Sequence, residues 1–129
     1  MTLNDKIVQQ IRKHREYETA SVAYMNIRRN NPRAYPYDYL GGLTARINMV
    51  KAWLAMLPEN EAYVVQRHLV DGLEWTQITH EYKEKWGKDN ARAERTLVRY
   101  HTNAIRKIEH FVREHLNWYS DFLDTDIPT

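Results

Sequence analysis

Three arginines, Arg92, Arg95 and Arg99, recur at i, i+3 and i+7 just after a short polar stretch, Gly87-Lys88-Asp89-Asn90. A guanidinium can give two parallel hydrogen bonds to O6 and N7 of guanine, the commonest base-specific contact in a DNA major groove. The residues between and around them extend the same chemistry. Glu94 can accept from a cytosine amino group. Thr96 and Thr102 can meet a phosphate or a thymine methyl. Lys88 and Asn90 stand where a helix begins, beside backbone N–H groups that attract phosphate. Asp89 or Asn90 is the expected cap of that helix. The length of the polar turn before Arg92 shifts the base-reading role toward Arg95 and Arg99 and leaves Arg92 for a phosphate. Lys83 and Lys85, on the preceding segment, would cross the backbone. Arg106, Lys107 and Arg113 come later and are expected to make phosphate contacts at most, or to be solvated or paired with Glu109 and Glu114.

Such a cluster must be positioned by helices, and the flanking sequence supplies them. After Leu57-Pro58-Glu59, Ala62, Val65, Leu69 and Leu73 recur at helical spacing, and Gly72 is the expected left-handed stop. Trp75, Ile78, Tyr82 and Trp86 repeat the pattern up to Gly87. Leu97, His101, Ala104 and Ile108 then form the stripe of a long helix over 91–115, which would extend about 37 Å at ~1.5 Å per residue. A brace helix, a turn and a longer helix over Asn90–Tyr100 that enters the groove is how a helix-turn-helix is written. Trp53, Trp75 and Trp86 lie on apolar stripes and are expected in the core.

Upstream, residues 3–29 read as helix with a polar interruption near Arg12-Lys13-His14. Residues 30–42 hold two prolines and a Gly pair and read as a connector. Tyr35, Tyr37 and Tyr39 alternate there; the reading admits a loop packed on helices or a contact to a partner. Leu43 to Leu57 carries Leu43, Ile47, Val50, Leu54 and Leu57 as the seam of a helix pair, facing the first helix or a second copy of the chain. Residues 117–129 end in acids and read as a frayed tail. The expected organisation is therefore an all-α chain, with an N-terminal helical region over 1–56, a helix-turn-helix region over 57–116 and an acidic tail over 117–129.

Composition narrows the function classes. The 129 residues carry a net charge of only +2, but the basic groups are local: residues 83–113 hold nine Lys/Arg against four acids. There is no cysteine, which excludes disulfides and thiolate zinc sites and fits a reducing cytoplasm. No secretory signal and no membrane-length apolar run is seen. The histidines form no i, i+4 pair, and no Gly-rich phosphate loop or nucleophile setting is present. Neither enzyme activity nor a metal or cofactor is expected.

The run Leu57-Pro58-x-x-Glu61, Val64-Val65, Gly72-Leu73-x-Trp75-x-x-Ile78, then Arg95-Thr96-Leu97 followed by Ala104 and Ile108, resembles region 4 of the sigma-70 family. The resemblance covers residues 57 to 112. It implies a sigma-like helix-turn-helix, with Leu97 standing for the family's Val and Ile108 for its Leu. The turn before Arg95 is longer than the family's, and His101 stands where the family has an aliphatic residue. The whole chain resembles the small late-gene regulators of phages and prophages, the ArpU-like and RinA-like groups. That implies a transcription regulator of phage or mobile-element genes in a bacterial cytoplasm, with double-stranded DNA as partner. RNA polymerase and a second copy of the chain are further partners the reading admits. A small terminase subunit, or a module that binds polymerase alone, are the alternatives.

Overall fold

The first helix starts at a reciprocal cap. Asp5 N–H donates to Thr2 Oγ1 and Thr2 N–H donates to the Asp5 carboxylate, each at 3.1 Å. This satisfies two otherwise orphan amides at the positive end of the helix. In the computed structural model, which describes residues 1–31 and 37–124, this helix is α1 (Leu3–Arg12), followed by α2 (His14–Asn30) and α3 (Tyr37–Ala55). Lys13 alone separates α1 from α2, and the chain keeps a helical hydrogen bond on either side of it. Ile7, Gln10 and Ile11 are the buried face of α1.

Then come α4 (Glu59–Val65), which widens into a π-helical turn over Gln66–Val70, α5 (Trp75–Trp86), a 3-10 turn at Lys88–Asn90, α6 (Glu94–Glu114) and α7 (Leu116–Asp124). Among the described residues every regular element is helical, as the periodicity requires. Pro58, with φ −55° and ψ 151°, is the N-cap of α4, and Glu59 and Glu61 lie in the first turn, where the helix dipole favours acids. The π turn is closed by Asp71, and Gly72 just beyond it has a φ of +69°, which suits glycine. Leu69 and Val70 on this turn are both buried.

Three apolar clusters hold these helices. The largest joins Ile7 and Ile11 of α1, Val50 and Trp53 of α3, Leu69 and Val70, and Ala104, Ile108 and Val112 of α6. A second joins Val64, Ile78, Tyr82 and Leu97. The third seats Tyr17 of α2 on Leu43 and Ile47 of α3. The seam expected over Leu43–Leu57 is therefore covered by the chain's own α1, α2 and α6.

Two expectations are corrected. α3 starts at Tyr37, so the Gly41-Gly42 pair lies inside a helix, where packing outweighs the roughly 1 kcal/mol that each glycine costs. Tyr39 is helical and lies 5.2 Å, ring to ring, from Tyr24; Tyr35 and the Tyr37 side chain lie outside the described residues. The acidic tail is helical as far as Asp124, because Leu123 is buried in the main core and Tyr119 meets Trp53 edge-on at 5.7 Å. Residues 125–129 lie outside the description. No helix among the described residues is long and apolar enough to cross a membrane.

Candidate nucleic-acid interface

α6 is strongly two-faced. Leu97, Ala104, Ile105, Ile108 and Val112 are its buried residues. At 100° per residue, Arg95, Arg99, Asn103 and Arg106 fall on the opposite side, and all four are exposed. Leu97 anchors the first turns of α6 on α4 and α5, while Ala104 to Val112 anchor its second half on α1 and α3. Lys107 Nζ donates to Glu61 Oε2 at 2.6 Å, tying the middle of α6 to the first turn of α4. Lys107 is thus bound, though to Glu61 and not to the acids beside it in sequence. Arg113 does pair with Glu109, at 2.8 Å.

The turn between α5 and α6 departs from expectation. Gly87 has φ +89° and ψ 161°, a conformation that side-chain-bearing residues avoid. Asn90 does not cap α6: its Nδ2 donates 2.9 Å to the carbonyl of Trp86 and so closes the C-terminal end of α5. Asp89 does not cap it either. α6 starts at Glu94 behind Ala93, and no side chain caps it. The amides of its first turn are left without a side-chain acceptor.

Arg92 is therefore not on the helix. It lies in the extended approach to α6 and folds back on the turn. Its Nη1 donates to the carbonyls of Asn90 and Ala91, at 2.9 and 3.1 Å, and its Nε to the Tyr100 hydroxyl at 3.3 Å. The i, i+3, i+7 pattern breaks because Asn90 is used by α5, which delays the helix by three residues. Arg95 and Arg99 are on α6, exposed, one turn apart and without a partner among the described residues. Arg106, expected from the sequence to reach a phosphate at most, is equally free among the described residues and on the same face. Its signal was present, since Arg99 to Arg106 is the same seven-residue step as Arg92 to Arg99.

The remaining candidates are distributed around this face. Lys88 is exposed on the 3-10 turn and Glu94 is exposed in the first turn of α6. Thr96 is half-buried. The Thr102 hydroxyl donates to Val98 O of its own helix at 3.1 Å. Lys83 and Lys85 are exposed on α5; the Lys85 ammonium sits over the rings of Tyr63 and Trp86, 5.6 and 5.2 Å from their centroids.

Behind this arginine face is an aromatic junction. His68 stacks on Trp75 at 4.3 Å, and His101 of α6 meets both rings edge-on. Burial first, and then the nearby His68 and Arg12, push the His101 imidazole down to about 4. It is neutral at physiological pH and serves as a packing group between α5 and α6. No group of three or more His, Asp or Glu side chains able to hold a metal exists among the described residues. Comparison with known protein families, with curated proteins and with solved structures gives no significant match.

Proposed function

We propose that this chain binds double-stranded DNA through α6, with α5 and the Gly87–Ala93 turn acting as the brace of a helix-turn-helix, and that it regulates transcription of phage or mobile-element genes in a bacterial cytoplasm. The observation that carries the DNA-binding reading is the partner-free arginine face of α6, Arg95, Arg99 and Arg106, directly opposite a stripe buried in the core. Unpaired guanidinium groups on a rigidly anchored helix are set up for groove and phosphate recognition. Arg95 and Arg99 are assigned to base edges. Arg106, Lys88 and the first-turn amides of α6 are assigned to phosphates. The regulatory role rests on the resemblance to sigma region 4 and to the small phage regulators. It is a binding role that needs no catalytic group.

Selection of bound sequences from a pool of random duplexes tests the reading. An enriched motif should bind the full chain more tightly than a scrambled duplex by a factor of about 10³ or more. Equal affinity for both overturns sequence-specific recognition. Absence of binding at low salt overturns the DNA reading as a whole.

A further inference from the structure

α2 buries one side on α3 through Tyr17, Ala20 and Tyr24, and leaves the other side open. On that open side Glu18, Val22, Met25 and Arg29 recur at steps of four, three and four residues. At 100° per residue they fall within a stripe about 60° wide. All four are exposed; Val22 keeps 63% and Met25 46% of its surface in solvent. Glu18, Thr19, Val22, Ala23 and Asn26 line a shallow groove alongside. One oxygen of Glu18 accepts from His14 Nε2 at 3.0 Å, and the other is open. Arg29 has no partner among the described residues.

Such a stripe has the spacing of a helix-pair seam, with the apolar residues in the middle and opposite charges at the ends. We propose that this face is the contact between two copies of the chain, with the two α2 helices packed antiparallel about a twofold axis. Antiparallel pairing sets Val22 against Met25 of the second copy, and Met25 against its Val22. The same register sets Glu18 against Arg29 at both ends. The pattern is self-complementary, as a twofold interface requires. It selects the antiparallel arrangement, because a parallel pair would place like charges together. The occupant is argued from charge: a neutral apolar partner would leave Glu18 and Arg29 unmatched, and a partner of single sign would repel one of them. The reading is independent of DNA binding.

Sedimentation equilibrium of the full chain tests it. Three turns of helix form a small interface, so wild type should show a monomer–dimer equilibrium in the micromolar range. E18R and R29E each create two like-charge contacts and should each raise the dissociation constant by about tenfold or more. An equimolar mixture of E18R and R29E should dimerise again. In the mixed pair the introduced arginine of one copy faces the introduced glutamate of the other, and at the opposite end the native Glu18 faces the native Arg29. The double variant E18R/R29E should dimerise like wild type. Far-UV circular dichroism shows whether each variant keeps its helices. As a second readout, the chain has no cysteine, so a mixture of V22C and M25C should cross-link under mild oxidation faster than either alone. Wild type that stays monomeric at about 500 µM overturns the proposal. So does a dimer indifferent to E18R and R29E, or a mixture that neither re-associates nor cross-links preferentially.

Discussion

Arg67 donates twice to a single oxygen of Glu81, from Nε at 3.1 Å and from Nη2 at 2.6 Å. The third arm of the same guanidinium reaches Asp71 at 2.9 Å, and Asp71 is also held by Arg15 of α2. One side chain on the π turn thus fastens α5 to the turn before it, and through Asp71 to the N-terminal helices. Replacing Arg67 by Ala should lower Tm by a few degrees. R67K should recover little of it, because an ammonium cannot reproduce the fork. Thermal unfolding followed by circular dichroism at neutral pH measures both.

Acid should destabilise the fold in two steps. His101 is held neutral down to about 4, and burial lowers the His14 imidazole as well. As pH falls below about 6.5 the unfolded chain takes up protons that the folded chain refuses. Stability is complete above that pH and declines until His101 itself protonates, by about 2 kcal/mol for this group after allowance for solvent screening. Glu81 adds to the loss further down: the Arg67 hydrogen bonds hold its carboxyl below the usual range, so its contribution is present above the unfolded value and disappears as pH falls through the folded one. H101L should flatten the dependence between pH 6.5 and 4. A variant with an unchanged slope there would remove His101 from the explanation.

The arginines should separate by role in DNA binding. R95A or R99A should cost about 1–3 kcal/mol on a cognate duplex and relax specificity at one position. R106A should weaken all sequences alike and reduce the salt slope by about one. R92A should leave the salt slope nearly unchanged and lower thermal stability instead, because that side chain is engaged with the turn and with Tyr100. Anisotropy titrations across a salt series, paired with melting curves, distinguish these patterns.

Gly87 is a purely conformational requirement. No atom would obstruct an added Cβ there, but the φ of +89° would be strained for any side-chain-bearing residue. G87A should destabilise the chain by about 1–3 kcal/mol. Chemical denaturation with an unchanged m-value would attribute the loss to the native backbone.

Much of this architecture was legible in the sequence. Leu97, Ala104 and Ile108 recur at the spacing that forces one face of a helix inward, and Gly72 and Gly87 stand where the chain turns left-handed. What escaped was decided by tertiary choice. The α3 start at Tyr37 was hidden by Gly41-Gly42, whose low propensity is overridden by burying Leu43 against Tyr17. The acids after Glu114 mask the apolar period of Tyr119, Phe122 and Leu123. Arg92 stands off the helix because Asn90, which by type can serve either of two helix ends, closes α5. The Lys107–Glu61 pair spans 46 residues, a separation that no local spacing rule can reveal.

The large apolar cluster has a consequence for how this chain can be cut or inherited. Ile7, Ile11 and Trp53 share it with Ala104, Ile108 and Val112, so α1 and α6 stand or fall together. Their slowest amide protons should exchange with solvent at a common rate, in a single cooperative opening. A crossover or truncation near residue 57 would split that cluster in two. The arginine-bearing helix is expected to travel between proteins only in company with the N-terminal segment that seats it.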